Sequence, residues 1–378
     1  MYPATAGRAR LLRVRRIYLD HSASSPMLPG VAVAMSRCCG LGNADSLHEE
    51  GRRAAKAVES ARRHVGRLLG ADPKQIGFTS GGTEADNLAL IGLAHAAAHR
   101  GRRHILVGAT EHKAMREAAA VLAEEGLDIE EVPVDGAGRT TPTALRRRLR
   151  ADTAVVAVML ANNEVGTDND VEALAGEAHA VGAAFACDAV AALGRLPIEA
   201  ERWNVDALAV SAHKIGGPPG VGALYLRAGV PIEPIFAGGT QEGGARPGTR
   251  GVPGIVGFGE AARARPTARA LDRMDHFGTA LAKAVERTFD GAYRLGGGTP
   301  GIVGVAVPGD DRDLVKRLDR LGVAASNGAA CSCAAGTRSH VLDALGVPEG
   351  FGLLRLSLGV ETTADDVREA QRRLASLR

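Results

Sequence analysis

The sequence predicts an α/β protein: a large domain built on a mostly parallel sheet, followed by a smaller α+β domain. Three observations lead to this reading. Between Glu49 and Leu226, short apolar runs alternate with amphipathic helical stretches, the pattern of successive βα units. After about Gly257 that alternation gives way to long charged helices separated by a few strands. A chain of 378 residues also has the length for one large and one small core.

Taken in order, Glu50 to Leu69 spaces Ala, Val and Leu at helical intervals between arginines. Gln75 to Thr79 reads as a short strand and Glu84 to His99 as a helix. Further strands are expected at His104 to Val107, Ile129 to Val132, Ala154 to Leu160, Ala183 to Cys187, Ala207 to Val210 and Gly222 to Leu226. Helices Lys113 to Glu125 and Val171 to Val181 connect them. In the later part, helix Ala268 to Phe289, strand Ile302 to Val307 and helix Asp313 to Leu321 precede a loop of small residues, Ser326 to Gly336. Helix Ser339 to Leu345, strand Leu353 to Leu358 and helix Ala364 to Leu377 complete the chain. The expected division is 27–257 for the large domain, with 1–26 and 258–378 forming the small one. No internal repeat or low-complexity linker interrupts it.

Composition excludes several classes. Apolar residues at 45% and charged residues at 24% are those of an ordinary globular protein. A net charge of +3 gives no electrostatic reason to expect nucleic acid or membrane as a partner. No apolar run approaches the ~20 residues of a membrane span. The cysteines (Cys38, Cys39, Cys187, Cys331 and Cys333) are odd in number and no secretory h-region is present. A disulfide framework is therefore not expected, and a reducing, cytoplasmic location is. Met1 to Arg16 carries Arg8, Arg10, Arg13, Arg15 and Arg16 without an acid or a serine. It reads as a disordered extension or an over-called start codon rather than a targeting peptide.

Lys214 is the most informative residue. It follows the apolar run Val205 to Val210 and precedes Gly216-Gly217-Pro218-Pro219-Gly220, where a helix cannot continue. An upstream strand ends on Asp188. A strand-end lysine can hold an aldehyde cofactor as a Schiff base, and a carboxylate can keep a pyridine nitrogen protonated; pyridoxal phosphate chemistry needs both. Thr79-Ser80-Gly81-Gly82-Thr83-Glu84 runs from a strand through glycines into a helix start, where backbone N–H groups suit a phosphate. His112 follows another strand and can stack on a flat ring or move protons. Asn162-Asn163 offers paired amides to a phenolate or a substrate carboxylate, and Arg355 is a lone guanidinium inside the apolar strand Leu353 to Leu358. Cys331 sits in the loop of small residues, a setting that suits a nucleophile visiting a site. Each has an ordinary alternative: a surface lysine, a capping aspartate, a simple turn, a structural histidine, an Asx turn, a solvent-facing edge arginine, a passive small residue. A Cys-X-Cys metal site lacks a second cysteine pair at ligand spacing, so no metal is expected.

The order of these motifs resembles the class V, fold-type I pyridoxal-phosphate enzymes, and more narrowly the NifS/IscS type of cysteine desulfurase. The resemblance runs from Ile17-Tyr18-Leu19-Asp20-His21-Ser22-Ala23 through Gly42-Asn43, Thr79 to Asn87, Glu111-His112-Lys113 and Asn162-Asn163-Glu164. It continues through Asp188, Ser211 to Lys214, Gly238 to Glu242, Arg246 to Thr249, Gly328 to Ser332 and Arg355-Leu356-Ser357. It implies a large domain with a seven-stranded sheet and a small domain carrying the cysteine loop. Lys214 would hold the cofactor and Asp188 would face its ring nitrogen. Gly82, Thr83, Ser211 and His213 would bind the phosphate, joined by Thr249 from the neighbouring subunit of a homodimer. His112 would stack on the ring and help as an acid or base, Asn163 and Arg355 would bind the substrate carboxylate, and Asn163 would also contact the cofactor. Cys331 would take sulfur from L-cysteine as a persulfide, releasing L-alanine, and pass it to an acceptor protein. Other readings within the class are selenocysteine or cysteine-sulfinate lysis and transamination; outside it, a catalytically weak scaffold that docks sulfur acceptors.

Three departures stand out. Ala191 occupies the place where the family has a glutamine donating to the ring hydroxyl, a hydrogen bond worth about 1.5–3 kcal/mol. Asn43-Ala44-Asp45-Ser46 replaces the usual Asn-Pro-Ala-Ser, and Cys333 lies two residues beyond the expected nucleophile, where it would relay or protect a persulfide.

Overall fold

A computed structural model describes residues 15–328 and 338–377. The chain enters through strand β1 (Ile17–Tyr18), then helices α1 (Pro29–Ser36) and α2 (Glu49–Leu69). Helix α2 starts on the His48 side chain, which accepts the Gly51 N–H, and stops at Gly70 in the left-handed region that glycine tolerates. The βα alternation follows: β2 (Ile76–Thr79), α3 (Gly82–Ala98), β3 (His104–Gly108), α4 (Lys113–Glu124) and β4 (Asp128–Val132). Next come α5 (Pro142–Arg146), β5 (Thr153–Ala157), α6 (Val171–Ala180), β6 (Ala184–Asp188), β7 (Ala207–Ser211) and β8 (Gly222–Leu226).

These strands form one seven-stranded sheet in the order β2-β8-β7-β6-β5-β3-β4. Only β8 runs against its neighbours; the other adjacent pairs are parallel. Strands β3 and β5 to β8 are buried almost throughout, as cover by a helix layer on each face demands, whereas the edge strand β4 is charged and partly exposed. Along β7 the faces differ in size. Ala207 and Ala209 join the core containing Leu88 and Leu93 of α3, while Leu208 and Val210 join the opposite core, which contains Val58 and Val65 of α2 and Phe258. Small residues on the α3 side let that largely buried helix lie close to the sheet.

After α7 (Val252–Arg263) and α8 (Ala268–Thr288), strand β9 (Tyr293–Leu295) pairs with β10 (Ile302–Pro308). Helix α9 (Asp311–Arg320), strand β11 (Val323–Ala324), helix α10 (His340–Ala344), strand β12 (Phe351–Ser357) and helix α11 (Ala364–Ala375) follow. Strands β12-β10-β9 form an antiparallel sheet, and β1 pairs in parallel with β11. Ile17 and Leu19 pack into the same core as Leu281 of α8, Val305 of β10 and Leu374 of α11. Arg195, buried and following the turn after β6, joins the two sheets: its guanidinium donates to the carbonyls of Pro300 at 2.8 Å and Leu358 at 2.9 Å.

Helices α1 and α7 had no counterpart in the sequence reading. Both begin next to a proline and are rich in Val, Gly and Ala, with no polar face to mark a helical period. The expected strand ends lie within three residues of those observed, both ends of β8 coinciding, and the largest shift is at β5, where backbone past Ala157 leaves the sheet toward the site.

Loop 238–250 is anchored by Glu242. Its carboxylate accepts from Arg62 at 2.5 and 3.1 Å, from Arg250 Nε at 2.5 Å and from the Phe78 N–H at 3.1 Å. Glu242 itself takes a left-handed backbone, φ 48°, a conformation costly for a non-glycine residue. Glu242→Gln removes the more buried of the two carboxylates that pair with Arg62, Glu59 remaining at 2.9 Å, so the urea midpoint should fall by the equivalent of about 2 kcal/mol.

Candidate active site

The carboxyl ends of the parallel strands open onto a cleft of about 1030 Å³, counting its solvent-facing mouth. Open α/β sheets place ligands there because the loops leaving the strands diverge. Lys214 reaches it from a single 3-10 turn, Ala212–Ile215, that follows β7 and ends at Gly216 in the left-handed region, φ 76°. A side chain at Gly216 would strike Leu28 at 2.7 Å, so the turn requires glycine there. The Lys214 amine donates to the carbonyl of Ser22, with the Ala23 carbonyl at 3.4 Å. Burial, then the positive charges of Arg355 and Arg195, bring its pKa down to about 8, against the pull of Asp188 and Asp20. Below about pH 8 the amine is mostly protonated, and only its neutral fraction is nucleophilic. The rate at which this amine condenses with an added aromatic aldehyde should therefore rise with pH through about 8, as absorbance stopped-flow can follow.

Asp188 closes β6 on the wall of the same cleft, its Oδ1 accepting the Val190 N–H at 2.8 Å. Burial pushes its pKa up, opposed by His112, the Val190 N–H and Lys214. His112 is the N-cap of α4: its Nδ1 accepts the Ala114 N–H at 3.1 Å, which leaves the neutral ring's proton on Nε2. Burial holds the imidazole below its usual pKa, reinforced by Lys214 and Lys113 and opposed by Asp188.

Gly82, Thr83, Ser211 and His213 also line the cleft. Helix α3 begins there on Gly81 with no capping side chain, so its first N–H groups are available to an anion. A side chain at Gly82 would meet Val190 at 2.8 Å. Burial and the neighbouring Lys214 bring His213 down to about 4, a neutral imidazole at neutral pH. An uncapped helix start, a flat neutral imidazole, a buried carboxylate and a buried amine around one cleft fit a planar, phosphate-bearing cofactor with a basic ring nitrogen.

Of the paired amides, Asn162 is structural. It accepts the N–H groups of Glu164 and Val165, each at 2.9 Å, and donates to the Thr110 carbonyl at 3.0 Å, an Asx turn. Asn163 lines the cleft. So does Arg355, buried although β12 is an edge strand, because residues 326–328 cover that edge: Ser326 and Arg355 exchange backbone hydrogen bonds at 3.1 and 2.7 Å. Its guanidinium donates to the Asn163 and Gly328 carbonyls at 3.1 and 2.6 Å and pairs with Asp20 at 2.8 Å. The anion compensating Arg355 within the chain is thus Asp20, which the sequence reading gave no role.

Thr249 lies in a separate depression with Ser80, Glu242 and Arg246, away from this cleft. Ala191 lines the cleft, with a methyl group where a donor was expected. Cys331 and Cys333 lie outside the described residues. Gly328, just before them, lines the cleft, and Ser339, just after, donates to Glu164 at 2.5 Å. Two buried acids of the cleft, Asp86 and Glu111, were quoted within motifs but given no function; helix position alone does not reveal that Asp86 points at a strand end.

Among known proteins, residues 17–369 match the family model described as "Aminotransferase class-V". A cysteine desulfurase IscS of Methanosarcina thermophila is 37% identical over 369 residues, covering 93% of this chain and 89% of that protein. A cysteine desulfurase of a Frankia species is 42% identical over 375 residues, 94% of this chain and 89% of the relative. Among solved structures, a NifS-like protein superposes with a TM-score of 0.89 at 32% identity, covering 96% of this chain and 99% of its own. SspA in complex with cysteine gives 0.81 at 29%, covering 92% and 99%.

Proposed function

The chain belongs to the class-V aminotransferase family, as a cysteine desulfurase of the NifS/IscS type, and we propose which of its residues carry that chemistry. The observation that carries the assignment is Lys214: a buried amine with its pKa near 8, in one cleft with Asp188, His112 and Arg355.

The family implies pyridoxal 5'-phosphate. Lys214 would hold it, Asp188 would face the ring nitrogen, His112 the ring, and Gly82, Thr83, Ser211 and His213 the phosphate. When bound, the cofactor withdraws electrons from the substrate Cα and so makes its proton removable. Lys214 is the base positioned for that proton, because a pKa near 8 leaves a sizeable neutral fraction at neutral pH. Arg355 and Asn163 orient the substrate carboxylate, with the guanidinium pre-set by Asp20 and two carbonyls. His112, with its proton on Nε2, supplies or receives a proton on the ring side. Cys331 takes the sulfur of L-cysteine as a persulfide, L-alanine leaves, and an acceptor protein receives the sulfur.

Thr249 is absent from its own chain's cleft, which supports its contribution to the cleft of a second copy and hence a homodimer. The chain divides at 27–257 against 1–26 with 258–378. No helix among the described residues is long and apolar enough to cross a membrane, and we place the enzyme in the cytoplasm, where free thiols persist.

Purified protein loaded with pyridoxal phosphate should yield alanine and sulfide in equal amounts from L-cysteine in the presence of thiol. Alanine formed from selenocysteine or cysteine sulfinate while L-cysteine stays inert would instead establish a different lyase, and no product from any of them would support the scaffold reading.

A further inference from the structure

Three buried carboxyls converge on one wall of the cleft: Asp86 from α3, Glu111 after β3 and Asp188 at the end of β6. One side-chain ligand atom each from Asp86, His112 and Asp188 lies within 4.8 Å of the other two. Anions so close in a water-poor site cannot all persist, so a proton must remain on one of them. Their partners decide which. Asp188 has the Val190 N–H and faces both His112 and Lys214. Glu111, also raised by burial and Asp188 and with its Oε2 unpartnered, differs from Asp86 in that its Oε1 accepts the Met159 N–H at 2.6 Å and Arg116 opposes the rise. Asp86 is only 1% exposed, its Oδ1 has no hydrogen-bond partner, and the charges it meets are the carboxyls of Asp188 and Glu111. Burial, then those two neighbours, raise it well above the usual carboxylate range.

We propose that Asp86 carries the proton of this cluster and acts as a positioning residue for Asp188, keeping Asp188 the anion presented to the ring nitrogen of the bound cofactor. The inference rests on the assignment of Asp188 above. As the neutral acid, Asp86 adds no second charge to an already acidic wall and offers an O–H donor on the α3 side of Asp188. Asparagine at this position reproduces the shape, the neutrality and the donor; alanine removes the donor.

The test compares wild-type protein with Asp86→Asn and Asp86→Ala, each loaded with and stripped of pyridoxal phosphate. Infrared difference spectra of wild type minus Asp86→Asn at neutral pH should show the carbonyl stretch of a protonated carboxyl. Pyridoxal phosphate affinity should stay within about threefold in Asp86→Asn and fall by about tenfold or more in Asp86→Ala. A carboxyl whose pKa is raised on folding binds protons more readily in the folded state, so its contribution to stability declines as pH rises. Between about pH 5 and about pH 8, stripped Asp86→Asn should therefore gain stability relative to wild type, read from urea midpoints. A carboxylate signature in place of the carbonyl band, equal affinities for Asn and Ala variants, or a stability gap flat in pH would overturn the proposal. Asp188→Ala separates the two levels: wild-type cofactor affinity there defeats the assignment of Asp188, whereas the infrared band of Asp86 stands or falls independently.

Discussion

Replacing Lys214 with alanine should lower alanine formation from L-cysteine by at least about 10⁴-fold. The reason is that one side chain performs several tasks. On the proposed assignment it anchors the cofactor covalently and is the base for the Cα proton, and burial together with Arg355 brings its pKa down to about 8. Lys214→Arg should fail almost as completely, because a guanidinium keeps the charge and cannot act as that base. The remaining walls, with the open N-terminus of α3, Asp188 and His112, are unchanged by the substitution. The variant should therefore still retain pyridoxal phosphate after gel filtration in low phosphate, with weakened affinity. Residual activity within about tenfold of the parent would mean that another amine serves, and Lys113 is the competitor because it lines the same cleft.

Replacing Cys331 with serine should lower sulfur release by at least about 10³-fold while leaving cofactor loading intact. Residues 329–337 lie outside the described structure, and the assignment rests on the family resemblance and on the residues that flank them. Arg355 fixes the Gly328 carbonyl at the cleft, and Glu164 fixes Ser339 beyond the segment. Serine preserves size and polarity but is a poor acceptor of sulfur. Unaltered turnover in Cys331→Ser with thiol present would remove Cys331 from the mechanism. Sulfur recovered by peptide mass spectrometry on Cys331 alone would dismiss a relay through Cys333.

The residues legible in the sequence share a property: each stands at the end of a strand or the start of a helix that the chain announces locally. Lys214 follows an apolar run and precedes Gly-Pro punctuation, Asp188 closes another strand, and His112 caps the helix that follows β3. Once the sheet is parallel, its topology brings their ends together at one edge, so their grouping needed no further information. What stayed hidden depends on contacts distant along the chain. Arg355 was conspicuous as a lone charge in a strand, yet its partner Asp20 lies 335 residues away and no local pattern links them. The burial of Asp86 follows from helix rotation against β6, which the mostly apolar α3 does not reveal through a polar face. Asn162 and Asn163 look alike in sequence, and only the fold shows that one builds a turn while the other faces the cleft. Helices α1 and α7 were missed for a related reason, being too evenly apolar to show a period.

Lys214 therefore remains the residue on which everything else turns, and one measurement addresses it directly. Borohydride reduction of the cofactor-loaded protein, followed by proteolysis and mass spectrometry, marks whichever lysine holds pyridoxal phosphate. The pyridoxyl mass should appear on the peptide containing Lys214 and nowhere else. Its appearance on Lys113, or on no lysine of the cleft, would contradict the account.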